Sequence, residues 1–188
     1  MSNANTIDRI VGVATGGPQQ GTKVAPAITL VTTTEKLFTD QTGATATVAF
    51  NPLSAPSSGA PQDLCAFVVR LTFKTTTGGT STSIINLYVG SSIVAGNKLA
   101  TITSASLATA SASGFIEVHC IWDSTTKVLS GYQEACYGTA TPLANTALSN
   151  TAISVLTVSG LTFCASATNG SSVTGTTVQI GEFCVEAS

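Results

Sequence analysis

Apolar and polar residues alternate along much of the chain after Pro26, which is the pattern of half-buried β-strands. Two segments show this most clearly. The first carries four apolar side chains at every second position: Phe67, Val69, Leu71 and Phe73. The second repeats the pattern with Ile116, Val118, Cys120 and Trp122. Because side chains two apart point to the same face of a strand, we expect these eight to form a buried core.

Turn-forming residues separate these segments from several further predicted strands. The additional strands cover residues 85–89, 98–103, 128–137, 152–158, 161–167 and 176–186. Residues 128–137 follow a short turn and should pair with residues 115–123 as a hairpin. Residues 104–114 are expected to form a loop or a short helical turn, and residues 142–150 a loop.

The alternation in two of these strands predicts which side chains share a face. In residues 85–89 we expect three apolar side chains on one face and two others, Asn86 and Tyr88, on the opposite face. In the last strand Gly181 is a candidate β-bulge, which would change the phase of the alternation. The expected order there is Val178 and Ile180 on one face, with Phe183 and Val185 on the other.

Eight to ten short strands without a long amphipathic helix predict an all-β antiparallel sandwich. We expect two regions. Residues 1–28 form an N-terminal arm and linker, and residues 29–188 form the sandwich. The arm holds three apolar side chains upstream of a Gly- and Pro-rich linker, and these are candidates for docking on a capsid: Ile10, Val11 and Val13. The alternative is a frayed tail without a docking role.

The scarcity of charge narrows the possible functions. Only 9% of residues are charged and the net charge is -2, against about 25% charged in ordinary soluble domains. Seven Lys and Arg residues are too few to neutralise a nucleic-acid backbone, so no nucleic-acid partner is expected. No secretory signal or membrane-spanning segment of about 20 apolar residues is evident, so no membrane partner is expected either. A chain with so little charge should bury much of its surface against other copies or partners.

The five cysteines are odd in number and form no Cys-x-x-Cys motif. They cannot all pair within one chain, and most should be reduced and buried as small hydrophobic residues. Reduced thiols and the missing signal both predict folding in a cytosol.

Candidate chemistry is sparse. Three residues share one face of a predicted strand and could support acid–base or metal chemistry: Glu117, His119 and Asp123. No nucleophile motif or second histidine accompanies them, so a solvated polar face is the favoured interpretation. The sequence therefore predicts no catalytic residue, no cofactor and no metal site.

Two other groups of residues were weighed for binding roles. Trp122 with Tyr132 and Tyr137 could stack on a sugar, but Trp122 shares a face with core residues and is assigned to the core. Three aspartates near turns could contribute to a calcium site, although no dedicated loop motif is present: Asp40, Asp63 and Asp123.

The order of the strands resembles the second half of a viral jelly roll. The resemblance is carried by Gly-Phe-Ile-Glu-Val-His-Cys-Ile-Trp-Asp at 114–123, Lys-Val-Leu-Ser-Gly-Tyr at 127–132, Leu-Thr-Phe-Cys-Ala-Ser-Ala at 161–167 and Val-Gln-Ile-Gly-Glu-Phe-Cys-Val-Glu-Ala at 178–187. Residues 29–188 as a whole resemble tailed-bacteriophage virion proteins of the head-decoration or fibre type. The resemblance implies a jelly-roll sandwich, a homotrimer on a capsid lattice, and no catalytic residues.

Three functions follow in order of preference. The first is a non-enzymatic capsid decoration or stabilising protein that folds in the host cytoplasm. It would attach as a homotrimer to the outer surface of the virion, with the major capsid protein lattice as partner. The alternative is a receptor- or glycan-binding module of a tail fibre or spike. Its mark would be an exposed aromatic in a loop near carboxylates, whereas the aromatics lie in predicted strands. The third is a single-jelly-roll capsid shell protein, which the weakly basic arm disfavours. An enzyme is the least favoured interpretation.

Overall fold

The computed structural model describes residues 28–30, 32–40, 42–50, 64–76, 82–103, 111–123, 126, 128–137, 146–147, 161–170 and 176–187. Within these ranges there are eleven strands, one short 3₁₀ turn (Ala95–Asn97) and no α-helix. The strands are β1 (Ile28–Leu30), β2 (Lys36–Leu37), β3 (Thr47–Phe50), β4 (Leu64–Thr76), β5 (Ser83–Val89), β6 (Lys98–Thr103), β7 (Ser111–Asp123), β8 (Val128–Tyr137), β9 (Thr146–Ala147), β10 (Leu161–Asn169) and β11 (Thr176–Ala187). The predicted all-β class is confirmed.

The strands form two antiparallel sheets. The six-stranded sheet has the order β1-β11-β4-β7-β8-β9, and the five-stranded sheet has the order β2-β10-β5-β6 with β3 also paired to β10. The chain crosses between the sheets repeatedly, since β4, β7 and β11 belong to one sheet while β5, β6 and β10 belong to the other. This exchange of antiparallel strands gives a sandwich of the jelly-roll type.

The core lies between the inner faces of the two sheets. All eight side chains predicted to point inward are 0–3% exposed. The five-stranded sheet contributes a matching apolar face, in which Ile85, Leu87 and Phe163 are fully buried. The rings of Phe67 and Phe163 meet across the sheets with their centroids 5.9 Å apart. Each large side chain buried here contributes about 1.5–3 kcal/mol relative to an exposed one.

A glycine in β7 makes room for an aromatic pair at one end of this core. Phe73 and Tyr137 pack edge to face, with centroids 4.8 Å apart and planes at 84°. Both residues are partners of Gly114 in the sheet, and a Cβ at Gly114 would lie 2.6 Å from the Phe73 ring. The Tyr137 hydroxyl donates to Thr75 Oγ1 at 2.8 Å, so the buried phenol has a hydrogen-bond partner.

The closing strand β11 departs from the predicted arrangement of faces. The expected irregularity at Gly181 is present as a register shift between Ile180 and Glu182. Its effect is the opposite of the one predicted: Phe183 and Val185 are fully buried in the same core as Val178 and Ile180. The bulge adds one residue to β11, so the apolar residues on both sides of it point to the inner face although their spacing in the sequence changes from even to odd.

Two predicted boundaries are also wrong. β7 begins at Ser111, so residues 111–114 extend the strand and only residues 104–110 of the expected loop lie outside the described residues. Within the expected loop 142–150, Thr146 and Ala147 pair with β8. Short pairings of this kind raise the strand count above the predicted eight to ten. The predicted strand 152–158, Asp63 and the docking residues Ile10, Val11 and Val13 lie outside the described residues.

The outer face of the five-stranded sheet is covered by the segment that leads into β2. Asn86 and Tyr88, which the alternation places opposite the core, are nevertheless only 1% exposed. Glu35 lies against them: its Oε1 accepts hydrogen bonds from Asn86 Nδ2 and from the Tyr88 hydroxyl, both at 2.7 Å, and from the Ser166 hydroxyl. One half-buried carboxylate therefore joins this segment to β5 and β10.

The hydrogen bonds decide the charge state of Glu35. Burial alone would raise its pKa, but the donors on Ser166, Tyr88 and Asn86, together with the positive charge of Lys98, lower the pKa below the ordinary value of a glutamate. A carboxylate whose pKa is lowered by folding stabilises the folded state at a pH above its unfolded pKa. That contribution is lost as the pH falls through the lowered folded value.

We predict that Glu35→Ala lowers the free energy of unfolding by about 2–4 kcal/mol at pH 7, because three buried donors lose their acceptor. The measurement is urea unfolding followed by Trp122 fluorescence. Glu35→Gln keeps an acceptor oxygen and should cost less. Its stability deficit relative to the natural chain should shrink as the pH is lowered below about 4.5.

Thr33→Ala is the matched control, because Thr33 is exposed and contributes only its backbone carbonyl to Thr168. It should change stability by less than about 0.5 kcal/mol. A Glu35→Ala protein as stable as Thr33→Ala would show that the carboxylate does not hold the segment in place.

Candidate functional site

The outer face of the six-stranded sheet concentrates the ionisable side chains of the chain. Four of its five glutamates lie on this face together with its only histidine. We call the following set the charged face: Arg70, Lys74, Glu117, His119, Glu134, Glu182 and Glu186. These side chains alternate along β4, β7, β8 and β11 with the core residues, so the burial of the core fixes their outward direction.

Strand register arranges this face in two neighbouring rows. The first row runs across four strands as Cys184, Arg70, Glu117 and Glu134. The second row runs as Glu186, Val68, His119 and Tyr132. Residues directly opposite in an antiparallel pair have Cβ atoms about 4.5–5.5 Å apart, so each row places its side chains next to one another.

Arg70 joins the two rows through ion pairs. Its Nε lies 2.7 Å from Glu117 Oε1, and its Nη1 lies 3.6 Å from Glu186 Oε2. The hydrogen bond to Glu117 raises the pKa of the Arg70 guanidinium, with further support from the charge of Glu186. All three side chains are about one quarter to one third exposed, so the contacts orient Glu117 more than they stabilise the fold.

His119 and Tyr132 form a stacked aromatic pair beside these charges. Their ring centroids are 4.6 Å apart and the rings are tilted by only 7°. Tyr132 is 40% exposed and Ile121, the next outward residue on β7, is 46% exposed. His119 Nε2 lies 3.8 Å from Glu117 Oε2, is itself buried, and has no hydrogen-bond partner among the described residues. An exposed tyrosine ring is therefore stacked on an imidazole that lies beside a carboxylate.

The structure divides the residues singled out in the sequence. Glu117 and His119 are in contact range, as their spacing on one strand predicts. Asp123 is not part of their cluster, because its Oδ1 accepts the backbone N–H of Thr126 in the following turn at 3.1 Å. Glu134 and Tyr132 take part instead. Tyr132 is already a candidate for sugar stacking in the sequence, but its pairing with His119, and that of Glu134 with Glu117, cannot be seen in the sequence of one strand.

The other candidate binding residues serve the fold instead. Trp122 and Tyr137 are each 3% exposed and belong to the core. Asp40 accepts the hydroxyl and N–H of Thr42 and the N–H of Ala44, so it closes its own turn. The hydroxyl of Thr42 is the main reason that the pKa of Asp40 is lowered. The aspartates described here do not converge on a calcium site.

Four cysteines whose side chains are described form no disulfide, as predicted for most of the five. Cys120, Cys164 and Cys184 are buried and Cys136 is half-buried. Burial raises the pKa of Cys164 and of Cys184 to about 12, and raises that of Cys120 as well. These three thiols are therefore protonated and unreactive at neutral pH.

Gly131 allows β8 to approach the strand that carries His119. Its φ is +146°, and a Cβ at this position would lie 1.8 Å from the backbone oxygen of His119. Gly131 is also the partner of Cys120 in the sheet, next to the pair formed by His119 and Tyr132. The stacked pair thus depends on a residue without a side chain.

Comparisons with known proteins give only distant similarities. No protein-family model and no curated protein matches the sequence. Among solved structures, the chain is similar to peanut lectin in complex with a nonapeptide, at 13% identity over 94% of both chains and a TM-score of 0.43. It is also similar to the winged bean acidic lectin in complex with methyl-α-D-galactose, at 11% identity over 96% of this chain and 90% of that chain, with a TM-score of 0.39.

A third similar structure is lectin I from Ulex europaeus in complex with the methyl glycoside of α-L-fucose. The identity is 8%, the coverage 88% of this chain and 98% of that chain, and the TM-score 0.38. At this level of similarity the lectins indicate nothing about the ligand of this chain. The described residues also contain no helix long and apolar enough to cross a membrane.

We predict that Gly131→Ala destabilises the protein by more than about 3 kcal/mol, because the added methyl group would clash with a backbone oxygen that cannot move away. Gly43→Ala is the matched control. Gly43 also has a positive φ of 86°, but a Cβ there would meet no atom within 4 Å, so only about 1–2 kcal/mol of backbone strain is expected. Urea unfolding of both variants measures the difference. Equal losses would contradict the close approach of β8 to His119.

Proposed function

We propose that the protein is a non-enzymatic glycan-binding module and that the charged face is its binding surface. The observation that carries this proposal is the exposed Tyr132 ring, which stacks on His119, while Glu117 and Glu134 have carboxylate oxygens within 4.8 Å of that histidine. An exposed aromatic ring near carboxylates is the expected mark of a glycan-binding module, although this ring lies on a strand rather than in a loop.

The chemistry of the face suits a sugar. Tyr132 offers an apolar ring surface with a polar tip, which can pack on the C–H face of a pyranose. The carboxylates of Glu117 and Glu134 accept hydrogen bonds, and sugar hydroxyls donate them. Stacking on His119 restricts Tyr132 before a ligand arrives, which lowers the entropy cost of binding.

The charge balance narrows the class of glycan. The charged face holds two cations, Arg70 and Lys74, against four glutamates, so it carries an excess of negative charge. Arg70 is already engaged by Glu117 and Glu186. A neutral oligosaccharide is therefore the favoured ligand, and a sulfated or uronate-rich glycan is disfavoured by repulsion.

Assembly as a homotrimer on a capsid lattice stays a prediction from the sequence. The homotrimer is expected from the scarcity of charge, and the arm expected to attach it to the capsid lies outside the described residues. Light scattering of the purified chain and co-sedimentation with capsids, with and without residues 1–21, would test the oligomer and the arm directly.

We predict that a neutral oligosaccharide found by screening a glycan array binds the natural chain, and that Tyr132→Ala weakens this binding at least tenfold, because the stacking surface is lost. Calorimetry with the isolated oligosaccharide gives the affinities. Glu134→Gln should weaken binding less, since its amide still accepts one hydrogen bond.

The control is Gln179→Ala, an exposed position on the outer face of β11 opposite Lys74 and away from the aromatic pair. It should bind as the natural chain does. If Tyr132→Ala binds as tightly as Gln179→Ala, the charged face is not the binding surface. If the bound oligosaccharide is shortened during prolonged incubation, the protein is an enzyme and the proposal is wrong in that respect.

A further inference from the structure

Three potential metal ligands converge on the charged face. The ligand atoms of Glu117, His119 and Glu134 all lie within 4.8 Å of one another, and each residue is half-buried. They come from two neighbouring strands: Glu117 and His119 from β7, and Glu134 from β8 directly opposite Glu117. From this arrangement we infer that the three side chains form a binding site for a divalent transition-metal ion of the zinc type.

The pairing of Glu117 with Glu134 is the first argument for a cation. Like charges directly opposite one another in adjacent strands destabilise a sheet. Arg70 contacts Glu117 but forms its other ion pair with Glu186, so within the described residues this one guanidinium serves two carboxylates. Glu134 adds a third negative charge to the same neighbourhood. A divalent cation between Glu117 and Glu134 would remove the imbalance.

The orientation of the ligand atoms is the second argument. Arg70 occupies Glu117 Oε1, which leaves Oε2 turned toward His119 Nε2 at 3.8 Å. That nitrogen is buried and forms no hydrogen bond with the described residues, although buried polar atoms are normally paired. Stacking on Tyr132 holds the imidazole in place. This nitrogen and Glu117 Oε2 thus face each other across a gap wider than a hydrogen bond.

The dimensions suit a small ion after a modest adjustment. Zinc binds His nitrogen and carboxylate oxygen at about 2.0–2.2 Å, so tetrahedral ligand atoms lie about 3.4 Å apart. The Glu117–His119 separation is close to this value, and rotation of the Glu134 side chain can shorten the remaining separations. Three protein ligands leave one coordination position open, as in zinc sites that also bind an exogenous molecule.

The mixed ligand set determines the kind of ion. Calcium and magnesium prefer sites made only of oxygen atoms. An imidazole with two carboxylates favours zinc and related transition metals. Arg70, which is not itself a metal ligand, would then orient the Glu117 carboxylate through its hydrogen bond. Hydrogen bonds to metal-bound carboxylates have this role in metalloproteins.

The experiment uses the full chain without a histidine-containing tag, after removal of bound metal with a chelator. Because His119 is the only histidine, its ring protons give isolated NMR signals that report directly on the site. Zn²⁺ should shift these signals and saturate at one ion per chain, and Co²⁺ should broaden them. Calcium at the same concentration should leave them unchanged, and displacement of Zn²⁺ by equimolar Ca²⁺ would overturn the ligand assignment.

Variants then test the ligands by calorimetric titration with Zn²⁺. Glu134→Gln and His119→Phe, which keeps a ring against Tyr132, should each bind Zn²⁺ at least tenfold more weakly than the natural chain. Glu182→Gln removes a glutamate from the same face but from outside the cluster and should bind normally. Circular dichroism verifies that each variant is folded, and Glu134→Gln, at a half-buried position, provides the test if His119→Phe is unstable.

Cys136 needs its own control, because it lies two residues from Glu134 on the same strand and thiolates bind zinc well. Cys136→Ser should retain full affinity. Loss of binding in Cys136→Ser with retention in Glu134→Gln would overturn the proposal, as would the absence of Zn²⁺ binding by the natural chain. The titrations contain no glycan, so their outcome is independent of whether the face binds a sugar.

Discussion

The register between β4 and β7 is the constraint on which the rest of the structure depends. These central strands of the six-stranded sheet pair without interruption from Leu64 and Asp123 to Thr76 and Ser111. A shift of one residue would turn every inward side chain of one strand to solvent. The core forbids such a shift, because Val69 and Val118 are both fully buried as partners. The same register places Arg70 opposite Glu117, so burial of the core also sets the arrangement of the charged face.

The arrangement of charges on the charged face does little to stabilise the fold. Half-buried ion pairs such as the one between Arg70 and Glu117 contribute little to stability, and the opposed Glu117 and Glu134 are unfavourable. The apolar burial beneath them is large enough to tolerate this cost. A pair that breaks a local rule without a structural gain is typical of a functional site, which is why we place function on this face rather than in the core.

Much of the sandwich follows from the sequence, because a period of two reports burial directly. The inward residues of β4 and β7 and the bulge at Gly181 could be inferred in this way. The inward orientation of Phe183 could not be inferred from the sequence. The effect of a bulge on which face a side chain occupies depends on its pairing with the partner strand. The contact of Glu134 with Glu117 is equally invisible, because their pairing depends on the register of β8 against β7. The predicted arm lies outside the described residues and stays a prediction.

The polar groups on the two outer faces of the sandwich differ in how they are paired. On the five-stranded sheet, one carboxylate, Glu35, accepts hydrogen bonds from neutral donors on Asn86, Tyr88 and Ser166. These three donors are therefore satisfied within the chain, and only Asn86 Oδ1 on the same side chains lacks a hydrogen-bond partner among the described residues. On the six-stranded sheet, acceptors outnumber the cations, and an exposed aromatic ring lies among them. The remaining acceptors on this face can be satisfied by hydrogen-bond donors or by positive charge from outside the described residues. Water can supply the donors but not the charge. This difference, rather than any single motif, is the reason that we propose the charged face as the binding surface.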